Sequence, residues 1–288
     1  MTTVIEALEL GTSALIEAGQ PVPRLDAQIL LGYVLQVDRA TLIASPGLPL
    51  TAEQERQYHQ LLERRKHGEP VAYLVGHKEF YGLDFYIDKR VLIPRPETEL
   101  LVEAAIKIVR ALLATGQAPV LADIGTGSGI IPITIAVQVP ELPFLYASDI
   151  SSEALEVARI NCQWHSVEQR VRLVHSDLLS ALPEPLDILT ANLPYVGTDE
   201  MEILAPDVLD YEPHLALFSG TQGLGLLERF FREAQQSGKL KEHAVLLLEI
   251  GYQQRERLVH LLSNLWPQAS VTFEKDFAGW DRLLKVVL

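Results

Sequence analysis

The sequence is marked first by what it lacks. It holds a single cysteine, Cys162. An internal disulfide and a cysteine-based zinc cluster are thereby excluded, and a reducing, cytoplasmic compartment is expected. The 8 histidines form no H-x-x-x-H pair and converge on no ligand pattern, so no metal is expected. Cations are scarce: 24 Lys and Arg against 38 Asp and Glu leave a net charge of −14. That balance argues against a protein that tracks a phosphate backbone. No run approaches the roughly 18 apolar residues of a membrane span. The opening MTTVIEALELGTSALIEAG also lacks the basic segment and continuous apolar core of a signal peptide. What is plentiful is apolar surface. Of 288 residues 48% are hydrophobic and 22% charged, enough to bury a sizeable core and unlike a disordered chain. At about 100 to 200 residues per domain, two domains are expected.

The hydrophobic period changes along the chain. Up to about residue 70, Ile5, Leu8, Leu15 and Ile16, then Leu25, Ile29, Leu30 and Val34, recur at spacings of three and four, which predicts amphipathic helices. Pro21 and Pro23 separate two of them, and Ser45-Pro46-Gly47 separates another pair. The run Arg64-Arg65-Lys66-His67 reads as a charged helix end rather than a contact for an acidic partner. From Glu79 to Pro96 the aromatic and β-branched residues predict a β-hairpin or an extended connector, with Asp88-Lys89-Arg90 as a polar turn. Beyond it, apolar strand-like runs at Val120 to Ile124, Phe144 to Ala147, Val171 to Val174, Leu186 to Thr190 and Val245 to Ile250 alternate with helical stretches such as Ser152 to Trp164. Alternation of this kind predicts a doubly wound α/β domain with a mostly parallel sheet. Val271 to Phe273 and Leu283 to Val287 leave no room for a crossover helix, so the sheet should end in an antiparallel pair. The expected organisation is a helical bundle over residues 1–75, a β-hairpin linker over 76–96 and the α/β domain over 97–288.

The first strand of that domain runs into Gly125-Thr126-Gly127-Ser128-Gly129. Glycines there let the backbone turn sharply and let a ligand lie against it without a Cβ in the way. The spacing is not the G-x-G-x-x-G of dinucleotide binders. Asp149 closes the next strand, placed to accept the hydroxyls of a ribose. Loop and carboxylate together suggest an adenosine-containing ligand without a pyrophosphate. Read as structure alone, they are a tight turn and a helix-capping carboxylate.

After the fourth strand comes Asn192-Leu193-Pro194-Tyr195. It resembles the N-P-P-Y motif of methyltransferases acting on planar nitrogens, and its order after the glycine loop and Asp149 is similar to that of the S-adenosyl-L-methionine-dependent class. The chemistry explains the residue types. An amide nitrogen is a poor nucleophile because its lone pair is delocalised. Two acceptors, the Asn192 side-chain oxygen and the Leu193 carbonyl, can hold one NH₂ so that the lone pair points at the methyl. Such orientation can contribute up to roughly 7 to 11 kcal/mol. Tyr195 is expected to pack its ring on the planar substrate group. Leu193 departs from the common proline but still supplies the carbonyl.

Taken with Arg24 to Leu42, Pro70 to Gly76, Val91 to Glu99 (VLIPRPETE), Glu212 to Leu217 and Gly279-Trp280-Asp281-Arg282, these motifs resemble the peptide chain release factor glutamine methyltransferases, the PrmC/HemK family. The resemblance implies a Rossmann-like class I methyltransferase domain preceded by a small helical bundle. It implies transfer of methyl from S-adenosyl-L-methionine, leaving S-adenosyl-L-homocysteine, to the side-chain amide nitrogen of the glutamine in the GGQ motif of bacterial class I release factors. Gly125, Thr126, Gly127, Ser128 and Gly129 would line the methionine part, Asp149 the ribose and Leu178 the adenine. Asn192, Leu193, Pro194 and Tyr195 would hold the glutamine. Asp177 would meet the adenine amine or cap the next segment. Arg95, Glu97 and Glu99 would order the connector; by residue type alone they read as a solvated helix start. The helical domain would recognise the factor, and a cytoplasmic monomer is expected, with no nucleic-acid or membrane partner. The competing reading is a DNA or RNA amino-methyltransferase acting on adenine or cytosine, which the charge disfavours. A degenerate, non-catalytic binding module is opposed by the intact Asn192, Tyr195 and Asp149.

Overall fold

A computed structural model describes residues 2–288. The chain divides into two compact units, residues 1–77 with 205–211, and residues 78–204 with 212–288. Among the described residues no helix is long and apolar enough to cross a membrane.

The first unit is helical, with α1 (Val4–Glu17), α2 (Pro23–Leu35), α3 (Arg39–Ala44), α4 (Ala52–Lys66) and α5 (Val71–Val75). Sequence punctuation accounts for their ends. Pro23 takes the first turn of α2, where its missing N–H costs nothing. Asp38 and Thr51 cap α3 and α4 with their side-chain oxygens. Leu15, Leu30, Leu31, Leu42, Leu50 and Tyr58 form a continuous apolar core. At Gly11 the helices approach so closely that a Cβ would meet the Tyr58 hydroxyl. The expected charged end of α4 is only partly solvated. Arg65 is buried, its Nε donating to Asp26 Oδ2 at 2.8 Å and its Nη1 to the Gly68 and Glu69 carbonyls. A buried charge needs such partners, and the requirement explains the departure.

The hairpin pairs β1 (His77–Phe80) with β2 (Leu83–Tyr86). Its turn is not Asp88-Lys89-Arg90 but Tyr81-Gly82, both in the left-handed region at φ 54° and 73°. Two successive positive φ values match the twist of a two-residue hairpin. Asp88 and Arg90 instead pair with each other along an extended connector that buries Ile87 and Val91.

The second unit continues with α6 (Thr98–Ala114), β3 (Leu121–Ile124), α7 (Ile130–Gln138), β4 (Leu145–Asp149), α8 (Ser152–Trp164), β5 (Val171–His175) and β6 (Leu186–Ala191). A 3₁₀ turn at Thr198–Ile203 follows, then α9 (Pro206–Tyr211) of the first unit, α10 (His214–Leu217) and a second 3₁₀ turn at Thr221–Gly223. Last come α11 (Gly225–Gln236), β7 (Leu240–Glu249), α12 (Arg255–Leu265), β8 (Ser270–Lys275) and β9 (Asp281–Val287). The seven strands lie in the order β5-β4-β3-β6-β7-β9-β8. The first five are parallel, while β9 runs antiparallel to both β7 and β8. All four residues of β3 are buried, as expected of a strand covered on both faces. Chain order reverses between β3 and β6, so a crevice opens at their carboxyl ends.

Candidate active site

That crevice is a cleft of about 270 Å³. Its walls include Gly125, Thr126, Gly127 and Ser128 from the loop after β3, Asp149 at the end of β4, Ser176, Asp177 and Leu178 after β5, and Asn192, Leu193 and Pro194 after β6. Residues far apart in sequence are gathered there because each follows a parallel strand. Of the residues expected at the site, Gly129 and Tyr195 do not line the cleft. Gly129 begins α7 at φ 82°, and a Cβ there would stand 2.9 Å from Ile133 Cδ1 and 3.3 Å from Ala158 Cβ. It sets how closely the loop packs on α8. The Tyr195 ring packs on the main apolar core.

Asp149 is braced by the backbone. Its Oδ2 accepts from Gly127 N at 2.8 Å and its Oδ1 from Ser151 N at 2.9 Å. The carboxylate keeps acceptor capacity for a ligand. Burial raises its pKa, and the Ser151 and Gly127 N–H groups oppose that shift. The Thr126 hydroxyl is buried and faces the Asp123 carboxyl beneath the loop, with no hydrogen bond of ordinary geometry. Gly127, at φ 56°, has nothing within 4 Å of where a Cβ would stand. Spare carboxylate acceptor capacity and a bare backbone loop together suit a polar ligand laid along the loop.

Beneath the loop, Asp123 is wholly buried. Desolvation pushes its carboxyl up to about 7, with a smaller opposing effect of the Thr190 and Thr126 hydroxyls. Thr190 Oγ1 donates to Asp123 Oδ1 at 2.7 Å, and the Thr126 hydroxyl is the other polar side-chain group beside the carboxyl. Asn161 of α8 fastens the glycine loop to the hairpin. Its Nδ2 donates to the carbonyls of Ser128 and Tyr86, at 2.9 and 3.0 Å, and its Oδ1 accepts from Tyr86 N at 2.7 Å.

On the other wall Leu193 is buried, its Cδ2 lying 2.9 Å from where a Gly125 Cβ would stand. The Asn192 Nδ2 donates to Thr98 Oγ1 at 3.3 Å. Thr98 in turn donates to Glu249 Oε2 at 2.6 Å, and the Tyr195 hydroxyl donates to Glu249 Oε1 at 3.1 Å. Leu178 lines the cleft with φ 49°, a conformation uncommon for leucine. Asp177 pairs with Arg229 of α11. Arg95 donates to Glu212 Oε1 at 2.5 Å, and Glu212 Oε2 accepts from Ile93 N, which ties the connector to the segment before α10. Among the described residues no group of three or more His, Cys, Asp or Glu could hold a metal ion.

Comparison with known proteins decides the family. The chain is 39% identical over 285 residues to the release factor glutamine methyltransferase of Koribacter versatilis (strain Ellin345), covering 98% of this chain and 97% of that one. It is 36% identical over 284 residues to the protein of the same name from Bacillus anthracis, with 98% of each covered. The chain belongs to the release factor glutamine methyltransferase family. It is thus a methyltransferase, an enzyme of that type. Residues 6–76 match the family described as PrmC N-terminal domain, and residues 99–209 match the methyltransferase small domain. Among solved structures, the hMettl16 catalytic domain in complex with MAT2A 3′UTR hairpin 6 shares the fold, with a TM-score of 0.56 at 14% identity over 84% of this chain and 83% of that one.

Three side chains of this family member escaped the sequence reading: Thr98, Asn161 and Glu249. Glu249 left a signal, a lone carboxylate at the end of the apolar run Val245 to Ile250. Thr98 lies within the VLIPRPETE segment but nothing there assigns it a role, and Asn161 left no signal, because helix interiors carry such residues for many reasons.

Proposed function

We propose that the enzyme transfers a methyl group from S-adenosyl-L-methionine to the side-chain amide nitrogen of the glutamine in the GGQ motif of class I peptide chain release factors, leaving S-adenosyl-L-homocysteine. The observation that carries this reading is the state of Asn192. Its Nδ2 is engaged by Thr98 Oγ1, which leaves Oδ1 as the free end of the amide, at the cleft wall beside the glycine loop. An acceptor there suits a substrate that presents an N–H.

Bound S-adenosyl-L-methionine supplies an electrophilic sulfonium methyl. The residues fit it: Asp149 retains acceptor capacity for ribose hydroxyls, and Gly127 leaves the loop open to its methionine part. Leu178 gives the adenine an apolar wall. Asn192 Oδ1 and the Leu193 carbonyl accept the two amide hydrogens of the substrate glutamine, turning its nitrogen lone pair toward the methyl. Both acceptors also stabilise positive charge as it develops on that nitrogen. A strong base is not required: as the N–C bond forms and the S–CH₃ bond breaks, the nitrogen becomes acidic, and its proton passes by way of the accepting oxygens to solvent once S-adenosyl-L-homocysteine is left. Leu193 and Pro194 give the reacting atoms an apolar wall. The helical unit, residues 1–75, is assigned to gripping a second surface of the factor, because one glutamine is too small to supply specificity.

The test is direct incubation of the protein with labelled cofactor and a release factor, beside the same factor with the GGQ glutamine replaced. Label in the first and none in the second supports the reading. Label found only in added DNA or RNA would favour the nucleic-acid alternative.

A further inference from the structure

The hydrogen bonds behind Asn192 have a polarity. A threonine hydroxyl has one proton, and that of Thr98 is given to Glu249 Oε2 at 2.6 Å. What remains on Thr98 Oγ1 is a lone pair, and it receives Asn192 Nδ2 at 3.3 Å. A flipped Asn192 would set its carbonyl oxygen against a hydroxyl whose proton is already committed, two acceptors facing each other. The second oxygen of Glu249 takes the Tyr195 hydroxyl, so one carboxylate holds both ends of the four-residue loop from Asn192 to Tyr195. Thr98 and Glu249 are both fully or almost fully buried, and the bond between them is shielded from water.

We propose that Glu249, acting through Thr98, is a positioning residue that fixes which end of the Asn192 amide faces the substrate. The inference rests on the proposed role of Asn192 as acceptor for the glutamine NH₂. It places the origin of that role at the amino end of α6 and the carboxyl end of β7. The direction of the chain depends on an acceptor-only carboxylate. A protonated Glu249 could donate to Thr98, whose proton would then turn to Asn192 and favour the flipped amide. Four groups face Glu249: Thr98 and Glu97 at the start of α6, Tyr195 after β6 and Arg282 on β9. Burial raises the Glu249 pKa, opposed by the two hydroxyls and by Arg282. Activity should accordingly fall on the acid side as this carboxyl takes up its proton.

The experiment compares Thr98→Val, Thr98→Ser and Glu249→Gln by steady-state methylation of a release factor and by cofactor affinity. Thr98→Val keeps the volume and loses the relay, so kcat should drop roughly 10- to 100-fold, as expected for misplacement of a reacting group. Its cofactor Kd should stay within about threefold, and Thr98→Ser should recover most of kcat. In an Asn192→Ala background, Thr98→Val should have no further effect, because there is no amide left to orient. Glu249→Gln should act like Thr98→Val and flatten the acid limb of the pH profile. If that variant fails to fold, the threonine pair carries the test alone. A wild-type enzyme that methylates the factor, with Thr98→Val as active as wild type, would overturn this inference and leave the proposed function standing. An equal loss in Thr98→Val whether or not Asn192 is present would also overturn it. Absence of methylation by the wild type would strike the proposed function itself.

Discussion

Asp149 offers the sharpest quantitative test of the cofactor site. Replacing it with asparagine keeps the size and removes the charge. In the native loop its two oxygens already accept Gly127 N and Ser151 N, and their remaining lone pairs are assigned to the ribose hydroxyls. An asparagine has one acceptor oxygen, so one backbone N–H loses its partner and faces another donor. Each hydrogen bond to a charged acceptor contributes about 1.5–3 kcal/mol net. The amide replaces part of this, and a loss of about 3 kcal/mol is expected, equal to roughly 100-fold in Kd. Isothermal titration with S-adenosyl-L-methionine measures it, with circular dichroism confirming a cooperative melt. The pH dependence gives a second handle. Burial raises the Asp149 pKa, and the ribose bonds need the carboxylate, so wild-type affinity should weaken as pH falls through that raised value. The Asn variant has no such proton to gain and should lose this pH dependence. A folded Asp149→Asn protein that binds within twofold of wild type at neutral pH would refute the assignment.

Other consequences are independent of the cofactor. Asp123 holds its proton up to about pH 7, whereas an unfolded aspartate ionises near 4, so ionisation lowers stability as pH rises between those values. Asp123→Asn removes the penalty, and its stability relative to wild type should rise by about 2–3 kcal/mol between pH 5 and 8 in urea melts. Asn161→Ala strips partners from Ser128 O, Tyr86 O and Tyr86 N at once, and should cost about 3 kcal/mol or more in the same assay. Cys162 is buried, with its thiol pushed up to about 12 mainly by desolvation, so a thiol reagent should label it only at the rate of unfolding.

Strands and helices were legible wherever the hydrophobic period was strong. The run Ser152 to Trp164 is α8 to the residue, and the parallel strands differ from expectation by one to a few positions at their ends. Local cues failed where a backbone conformation or a distant partner decided the outcome. The hairpin turn was sought at the polar Asp88-Lys89-Arg90, yet the positive φ values fall on Tyr81 and Gly82, and tyrosine gives little warning of a left-handed conformation. Arg65 reads as a solvated helix end because nothing nearby announces Asp26, 39 positions away. Likewise Thr98 and Glu249 are 151 residues apart, and only the parallel topology brings the start of α6 beside the end of β7. Motif order alone gathered the glycine loop, Asp149, Leu178 and Asn192, since each follows a strand of one parallel sheet. It could not show that the Tyr195 ring packs on the core while its hydroxyl anchors the loop through Glu249.

The central claim is that Asn192 presents an acceptor to the amide of a release-factor glutamine. Mass spectrometry of a release factor after incubation with S-adenosyl-L-methionine and either the wild-type enzyme or Asn192→Ala tests it most directly. The account predicts one methyl on the GGQ glutamine with the wild type, and a rate reduced by roughly 100-fold or more with a variant that still binds cofactor. Equal methylation of that glutamine by both proteins would contradict it.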